Sequence, residues 1–164
     1  ESERMVQDAL EKSEKQMKAY DKGRIYYYLG EYQKAYIALE AAKENGGAES
    51  YLYLGRAYEA TGDYNYAANV YNGYLAKEGG NAEVYNQLGI CEIAKGEYAK
   101  ALTAFQAGKQ LEDSEYLQAL SYNEIVAYEY LGEYQKASVL LETYLKAYPD
   151  DEQARREQGF LSTR

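Results

Sequence analysis

One seven-residue cassette returns four times along the chain and constrains the fold more than any other feature. Its copies read LGEYQKA at 29–35, TGDYNYA at 61–67, KGEYAKA at 95–101 and LGEYQKA at 131–137. The alanines that end these copies are 32, 34 and 36 residues apart, at Ala35, Ala67, Ala101 and Ala137. A self-similar period of about 34 residues is typical of proteins built from stacked repeats.

The residues around each cassette extend the repeat into a known pattern. In the second copy, Tyr51, Leu54, Gly55 and Tyr58 precede the cassette with the spacing Y-x-x-L-G-x-x-Y. This resembles the tetratricopeptide repeat, whose pattern is W-x-x-L-G-x-x-Y followed by A-x-x-x-F and P. The resemblance implies an all-α fold, a right-handed solenoid (superhelix) of antiparallel helix pairs.

Two of the four copies depart from the pattern early in their first helix. Lys22 stands where the first copy should have Leu, and Glu124-Ile125 replaces Leu-Gly in the fourth. The resemblance implies one domain over residues 1–164, with repeats at about 16–47, 48–81, 82–115 and 118–151. Apolar stripes at both ends predict a helical lead-in over 1–15 and a C-terminal capping helix over 152–164, with Ala154, Phe160 and Leu161 contacting the last repeat.

The repeat also explains the residues of the cassette. Its glycine is expected to close the first helix, because a left-handed residue costs glycine little. The acid that follows begins the second helix, where the helix dipole favours negative charge. The alanine is expected at a helix contact too close for a larger side chain, such that leucine there would overpack the core.

The amino-acid composition argues against several classes of function. The chain has 18 basic and 27 acidic residues and a net charge of −9, so polyanions such as nucleic acid are poor partners. No apolar run reaches the roughly 20 residues of a membrane helix. The chain has no histidine and a single cysteine, Cys91, and it contains no phosphate-binding glycine loop. We therefore expect no enzyme activity, no catalytic residues, no metal and no cofactor.

The resemblance implies that the first helix of each repeat lines a concave groove for a partner. Residues at the fifth, sixth, ninth, twelfth and thirteenth repeat positions are then the candidate binding residues. Those selected here are Tyr20, Arg24, Tyr27, Leu52, Tyr53, Arg56, Asn86, Gln87, Ile90, Ile93, Tyr122, Asn123, Val126 and Tyr130.

Two interpretations of this set stand side by side. In one, the arginines of repeats 1 and 2 bind the acidic end of a peptide, and Ile90, Ile93 and Val126 bind its apolar anchor. In the other, Arg56 pairs with Glu59 on one helix and a terminal helix covers the isoleucines. The lysine and asparagine clamp of chaperone-binding family members has no match at the corresponding positions, so that specific function is not expected.

The sequence thus predicts a scaffold that binds a protein or peptide. The alternative is a self-associating structural protein, a homo-oligomer whose groove is filled by a terminus or by a second copy. The chain opens at Glu1 rather than Met. The tyrosine-rich repeats resemble bacterial proteins found both in the cytoplasm and as exported, lipid-anchored proteins; an extracytoplasmic, lipid-anchored location is our expectation and the cytoplasm the alternative.

Overall fold

The computed structural model describes residues 18–44 and 48–164, and in these ranges all regular secondary structure is α-helical. The helices of this part of the chain are α1 (Ala19–Tyr28), α2 (Tyr32–Lys43), α3 (Ala48–Ala60), α4 (Tyr64–Glu78), α5 (Ala82–Ala94), α6 (Tyr98–Lys109), α7 (Leu117–Tyr130), α8 (Tyr134–Ala147) and α9 (Glu152–Leu161). The predicted lead-in over 1–15 lies outside the described residues.

The chain divides into two compact units, Glu1–Val70 and Tyr71–Arg164. In the first unit α1 packs on α2, α2 on α3, and α1 also contacts α3. In the second unit successive helices from α5 to α9 pack on one another, and α5 also contacts α7. First helices of neighbouring repeats therefore touch within each unit, as stacked helix pairs require.

The glycine of each cassette ends the first helix as predicted. Gly30, Gly62, Gly96 and Gly132 have φ between 73° and 77°, in the left-handed region. In the first repeat the Gly30 N–H donates to the Tyr27 carbonyl at 3.0 Å and the Glu31 N–H to the Tyr26 carbonyl at 2.9 Å. This pair of bonds is a Schellman motif, and the other three copies repeat it. The cassette is thus a helix stop followed at once by a helix start.

The cassette alanines occupy the closest helix contacts. All four have no exposed surface, which confirms the prediction made from their spacing. A glycine of the first helix has a similar role in the third repeat, where a Cβ built on Gly89 would lie 2.3 Å from Cε1 of Phe105. Phe105 is itself fully buried. Small residues at these points let α5 and α6 approach closely and bury the large ring between them.

The departure at Glu124 has a structural partner on α6. Glu124 is 6% exposed, and its carboxylate accepts hydrogen bonds from Lys109 Nζ and from Gln106 Nε2, the latter at 3.0 Å. Gln106 Nε2 also donates to the Tyr128 hydroxyl at 3.2 Å. An ion pair between the half-buried Lys109 of α6 and the buried Glu124 of α7 therefore occupies the place where the repeat pattern has leucine.

The capping helix α9 begins at a side-chain cap. Asp151 Oδ1 accepts from the Ala154 N–H at 3.1 Å, and Asp151 Oδ2 accepts from the Tyr144 hydroxyl at 2.6 Å. Ala154 and Leu161 are buried against α7 and α8, as predicted. The third residue expected at this contact, Phe160, has a side chain that is 41% exposed, and its ring centroid lies 4.4 Å from the guanidinium carbon of Arg164. Phe160 lies roughly a third of a turn away from the stripe that joins Ala154 to Leu161, so it faces outward.

Candidate protein-interaction site

In the first unit the predicted residues of α1 and α3 gather around one arginine. The guanidinium carbon of Arg24 lies 5.3 Å from the ring centroid of Tyr20 and 5.1 Å from that of Tyr53. The guanidinium carbon of Arg56 lies 5.4 Å from the Tyr53 centroid. Each distance is within the range of a cation–π interaction. We call Tyr20, Arg24, Tyr27, Tyr28, Tyr53 and Arg56 the tyrosine–arginine cluster.

The rings of this cluster also support one another. Tyr53 makes edge contacts with Tyr20 at 6.0 Å, with Tyr27 at 5.8 Å and with Tyr28 at 6.0 Å between ring centroids. The hydroxyls of Tyr28 and Tyr53 are 3.0 Å apart and hydrogen-bonded. Such ring pairs restrict the motion of the side chains around Arg24. Tyr28 was not among the selected candidates, although it occupies the thirteenth repeat position.

The electrostatics of the cluster are set by its two guanidinium groups. The hydrogen bond from Tyr28, together with Arg24 and Arg56, lowers the pKa of Tyr53. The same hydrogen bond raises the pKa of Tyr28. The nearby Tyr20 and Tyr53 hydroxyls raise the pKa of Arg24 above its ordinary value, so this group is always charged.

One hydrogen bond anchors the tyrosine–arginine cluster, and one buried polar atom of the cluster has no partner. The Tyr20 hydroxyl donates to Glu49 Oε2 at 2.6 Å, and burial together with this bond raises the pKa of Tyr20 to about 12. The Nε of Arg24 is buried and has no hydrogen-bond partner. The planar fork of donors on a guanidinium group such as that of Arg24 is suited to bind a carboxylate.

Leu52, the remaining predicted residue of the first unit, is half-buried on α3. It has no part in the tyrosine–arginine cluster.

In the second unit, the predicted residues of α5 and α7 form a polar contact and an apolar strip. The Asn123 side chain donates to Asn86 Oδ1 at 2.8 Å, which joins the two helices. Gln87 and Val126 are half-buried, and Ile90 is 38% exposed. Ile93 instead packs against a core cluster that contains Phe105 and Leu120. Ile90 is therefore the aliphatic side chain most open to a ligand here.

The last two predicted residues, on α7, have different surroundings. Tyr130 is 54% exposed and stacks on Tyr98 with ring centroids 4.7 Å apart and planes at 10°. Tyr122 is half-buried, lies 5.7 Å from the Tyr144 ring and is hydrogen-bonded to Gln153 of α9. Burial raises the pKa of Tyr122.

Position selection missed Glu129, which lies beside α9. Its Oε1 atom is buried without a hydrogen-bond partner, and burial, together with the nearby Glu157 of α9, raises the pKa of Glu129 to about 8. The twelfth repeat position would have pointed to Glu129, but its contact with α9 is a tertiary feature.

The described residues contain neither a metal site nor a membrane-spanning helix. No group of three or more acidic or cysteine side chains is placed to hold a metal ion in this part of the chain. None of the helices described above is both long enough and apolar enough to cross a membrane. Cys91 is fully buried, as expected of a small core residue.

Comparison with solved structures shows the same fold in several proteins. The crystal structure of MamA protein matches with a TM-score of 0.79 and 24% identity over 87% of this chain and 78% of that one. The structure described as MamA MSR-1 C2 matches with a TM-score of 0.70 and 21% identity, over 87% of this chain and 82% of that one.

A third similar structure contains a bound peptide. The NMR structure of the second TPR domain of human RPAP3, in complex with the HSP70 peptide SGPTIEEVD, matches with a TM-score of 0.64 and 23% identity. The match covers 70% of this chain and 94% of that one. At these identities the likeness establishes the fold, an all-α solenoid of the tetratricopeptide type. No match was found among curated protein sequences.

Family models identify the repeats directly in the sequence. One tetratricopeptide repeat model matches residues 20–82 and 54–114, and a second matches residues 113–151. Together these matches span most of the chain and coincide with helices α1 to α8. The chain belongs to the tetratricopeptide repeat family.

Proposed function

We propose that this protein is an interaction scaffold whose first unit binds an acidic segment of a partner protein through the tyrosine–arginine cluster. The family and the fold support a role in protein binding. The single observation that carries the finer proposal is the contact of the Arg24 guanidinium with two tyrosine rings, Tyr20 of α1 and Tyr53 of α3.

Charge supports an acidic ligand at this place. The chain as a whole has a net charge of −9, so an acidic segment is repelled by most of its surface. The cluster brings two guanidinium groups, those of Arg24 and Arg56, within 5.4 Å of one tyrosine ring. Electrostatic complementarity of this kind selects the docking position of a partner more than it adds affinity.

The human RPAP3 domain supports the proposal by analogy. Its bound HSP70 peptide ends in the residues EEVD, so a domain of this fold has been observed with an acidic peptide. The present chain lacks the lysine and asparagine clamp of the chaperone-binding members. The cluster would bind its acidic segment with arginine and tyrosine donors instead.

A peptide-display selection tests the proposal. Random peptides selected on the full chain should be enriched in Asp and Glu, and the affinity of the best of them can be measured by fluorescence anisotropy. Arg24→Gln should weaken binding about tenfold, the equivalent of about 1.4 kcal/mol. Arg24→Lys keeps the charge but loses the planar fork, so it should recover only part of the affinity.

A matched control separates this site from a general effect of charge. Arg155 on α9 is exposed and lies 3.8 Å from Asp150, so Arg155→Gln makes the same charge change outside the cluster. Its affinity should equal that of the natural chain. Equal losses for the two Gln variants, or selected peptides without acidic residues, would contradict the proposal.

One observation favours the alternative function for the second unit. There α9 packs against α7 and contacts Tyr122, one of the predicted groove residues. A terminal segment thus covers part of the first-helix face of the last repeat, as the self-filled groove requires. Light scattering across a concentration series tests the form of this alternative in which a second copy fills the groove, since that form requires a stable dimer, whereas filling by α9 leaves a monomer.

A further inference from the structure

Three tyrosines of the first unit are stacked on one another. The ring of Tyr36 on α2 lies 4.4 Å from that of Tyr58 on α3 between centroids, with the planes at 15°. The ring of Tyr58 lies 5.4 Å from that of Tyr66 on α4, with the planes at 24°. Tyr36 and Tyr58 are half-buried, whereas Tyr66 is 59% exposed. We call these three residues the tyrosine stack.

Hydrogen bonds fix both ends of the tyrosine stack. The Tyr36 hydroxyl donates to the Ala57 carbonyl at 3.3 Å and is also hydrogen-bonded to the Thr61 hydroxyl, just after the end of α3. At the other end, Asp63 Oδ1 accepts from the Tyr66 N–H at 3.4 Å. The rings are therefore already ordered, which lowers the entropy cost of binding a ligand.

The repeat position of Tyr66 belongs to a lysine elsewhere in the chain. The residues before the other three cassette alanines are Lys34, Lys100 and Lys136. Nζ of Lys34 lies 5.3 Å from the ring centroid of Tyr26, and Nζ of Lys136 lies 5.7 Å from that of Tyr128. These two rings occupy the same repeat position as Tyr58. Repeats 1 and 4 thus place a cation of their own over this ring.

The acid of the second cassette also has no cation. In the other cassettes the acid pairs with the lysine three residues later, as Glu31 with Lys34, Glu97 with Lys100 and Glu133 with Lys136. The equivalent acid here is Asp63, and no described lysine or arginine lies within ion-pair distance of it. Burial, and then nearby groups that include Glu40 and Asp63, raise the pKa of Tyr58. Glu40 is paired with Lys43, so Asp63 is the acid beside the stack that lacks a cation.

We propose that the tyrosine stack and Asp63 form a second interaction site, which binds an arginine side chain of a partner protein. The guanidinium lies on the outer face of Tyr66 and is attracted by Asp63, so the partner supplies the cation that repeats 1 and 4 supply themselves. Arginine is favoured over lysine because its planar group stacks on a ring face. The net charge of −9 attracts a basic segment. The site shares no residue with the tyrosine–arginine cluster and goes beyond the proposed binding of an acidic segment.

A chemical-shift titration of the isotope-labelled full chain with the capped peptide acetyl-GRGRG-amide tests the proposal. The largest shifts should fall on the backbone amides of Asp63 and Tyr66. The neutral peptide acetyl-GQGQG-amide has the same length but no cation, so it should leave these amides unshifted at the same concentration.

Substitutions at the site separate its two components. Tyr66→Lys gives the second repeat the lysine of the other three, so it should fold normally and fill the site with its own cation. An exposed cation–π contact and an exposed ion pair are each worth roughly two- to fivefold in affinity. Tyr66→Lys should therefore need about tenfold more arginine peptide for half of the shift. Asp63→Asn keeps an acceptor for the Tyr66 N–H and should need about threefold more. Tyr66→Phe keeps the ring and should bind as the natural chain does.

Tyr130→Lys is the matched control for the added charge. Tyr130 is also an exposed tyrosine stacked on another ring, that of Tyr98, but the acid of that cassette, Glu97, is already paired with Lys100. Its affinity for the arginine peptide should equal that of the natural chain. The proposal is overturned if the arginine peptide leaves Asp63 and Tyr66 unshifted, if the neutral peptide shifts them equally, or if Tyr66→Lys and Tyr130→Lys change the affinity equally.

Discussion

The close approach of α5 and α6 at Gly89 gives a sharp prediction about stability. Replacing Gly89 by Ala would place the new Cβ 2.3, 2.5 and 2.6 Å from three ring atoms of Phe105. Real Cβ atoms are not found so close to other atoms, and Phe105 is fully buried, so the ring must move against close-packed neighbours. Overpacking of this kind costs about 1–3 kcal/mol.

The higher helix propensity of alanine acts in the opposite direction and reduces the loss of stability caused by overpacking. Alanine is a better helix former than glycine by about 1 kcal/mol at an interior helix position. The net result for Gly89→Ala should therefore be a loss of up to about 2 kcal/mol in the free energy of unfolding. Urea denaturation followed by circular dichroism at the helix band measures this difference.

The chain provides a matched control for the helix-propensity effect. Gly159 also lies within a helix, α9, but a Cβ there meets nothing within 4 Å. Gly159→Ala should therefore raise the stability of α9 by about 0.5–1 kcal/mol. If Gly89→Ala stabilises the protein as Gly159→Ala does, the packing argument at this helix contact is wrong.

The ion pair of Lys109 with Glu124 and the two isoleucines of α5, Ile90 and Ile93, give two further predictions. Lys109→Met leaves the Glu124 carboxylate buried without its cation and should lower the free energy of unfolding by about 3 kcal/mol. Glu124→Leu, which restores the family residue, should be neutral or stabilising by about 1 kcal/mol. Thermal and urea denaturation measure both changes, and a larger loss for Glu124→Leu than for Lys109→Met would contradict this reasoning. Ile93→Asp should destabilise the fold by more than about 2 kcal/mol, because Ile93 packs on the core. Ile90→Asp, at an exposed position, should cost less than about 0.5 kcal/mol. Equal losses for the two variants would show that both isoleucines belong to the core.

The sequence predicted the repeat geometry well because that geometry is local. The glycine of each cassette, the acid after it and the buried alanine act within a few residues of one another, and the structure confirms all three. The N-cap at Asp151 is equally local, since its carboxylate accepts from the Ala154 N–H three residues further along the chain. In such places residue type and spacing determine the conformation.

The last repeat shows where register alone does not suffice. Tyr134 occupies a packing position of the family pattern, yet its side chain is 37% exposed. The equivalent ring of the third repeat, Tyr98, is covered by Tyr130 of the next repeat. Tyr134 has only the guanidinium of Arg164 at 5.9 Å in that place, because α9 ends at Leu161. Burial of a repeat residue thus depends on its neighbour as well as on its own position.

Repeat positions predicted which helix face carries the candidate site, but not how its side chains contact one another. Repeat positions placed Arg24 and Tyr53 on the first helices, but the contact of the Arg24 guanidinium with two rings depends on how α1 and α3 pack. The hydrogen bond from Asn123 to Asn86 likewise joins the first helices of two repeats. Each of these residues alone is typical of a solvated helix face, so sequence reasoning could not predict that they bond to each other.

The most direct test of the scaffold proposal is a chemical-shift titration of the isotope-labelled chain with the tightest acidic peptide from the display selection. The largest shifts are expected on α1 and α3, at the backbone amides of Tyr20, Arg24 and Tyr53, and Arg24→Gln should need about tenfold more peptide to reach half of them. Shifts confined to the second helices α2 and α4, or a titration midpoint that Arg24→Gln leaves unchanged, would contradict the claim that the tyrosine–arginine cluster binds the partner.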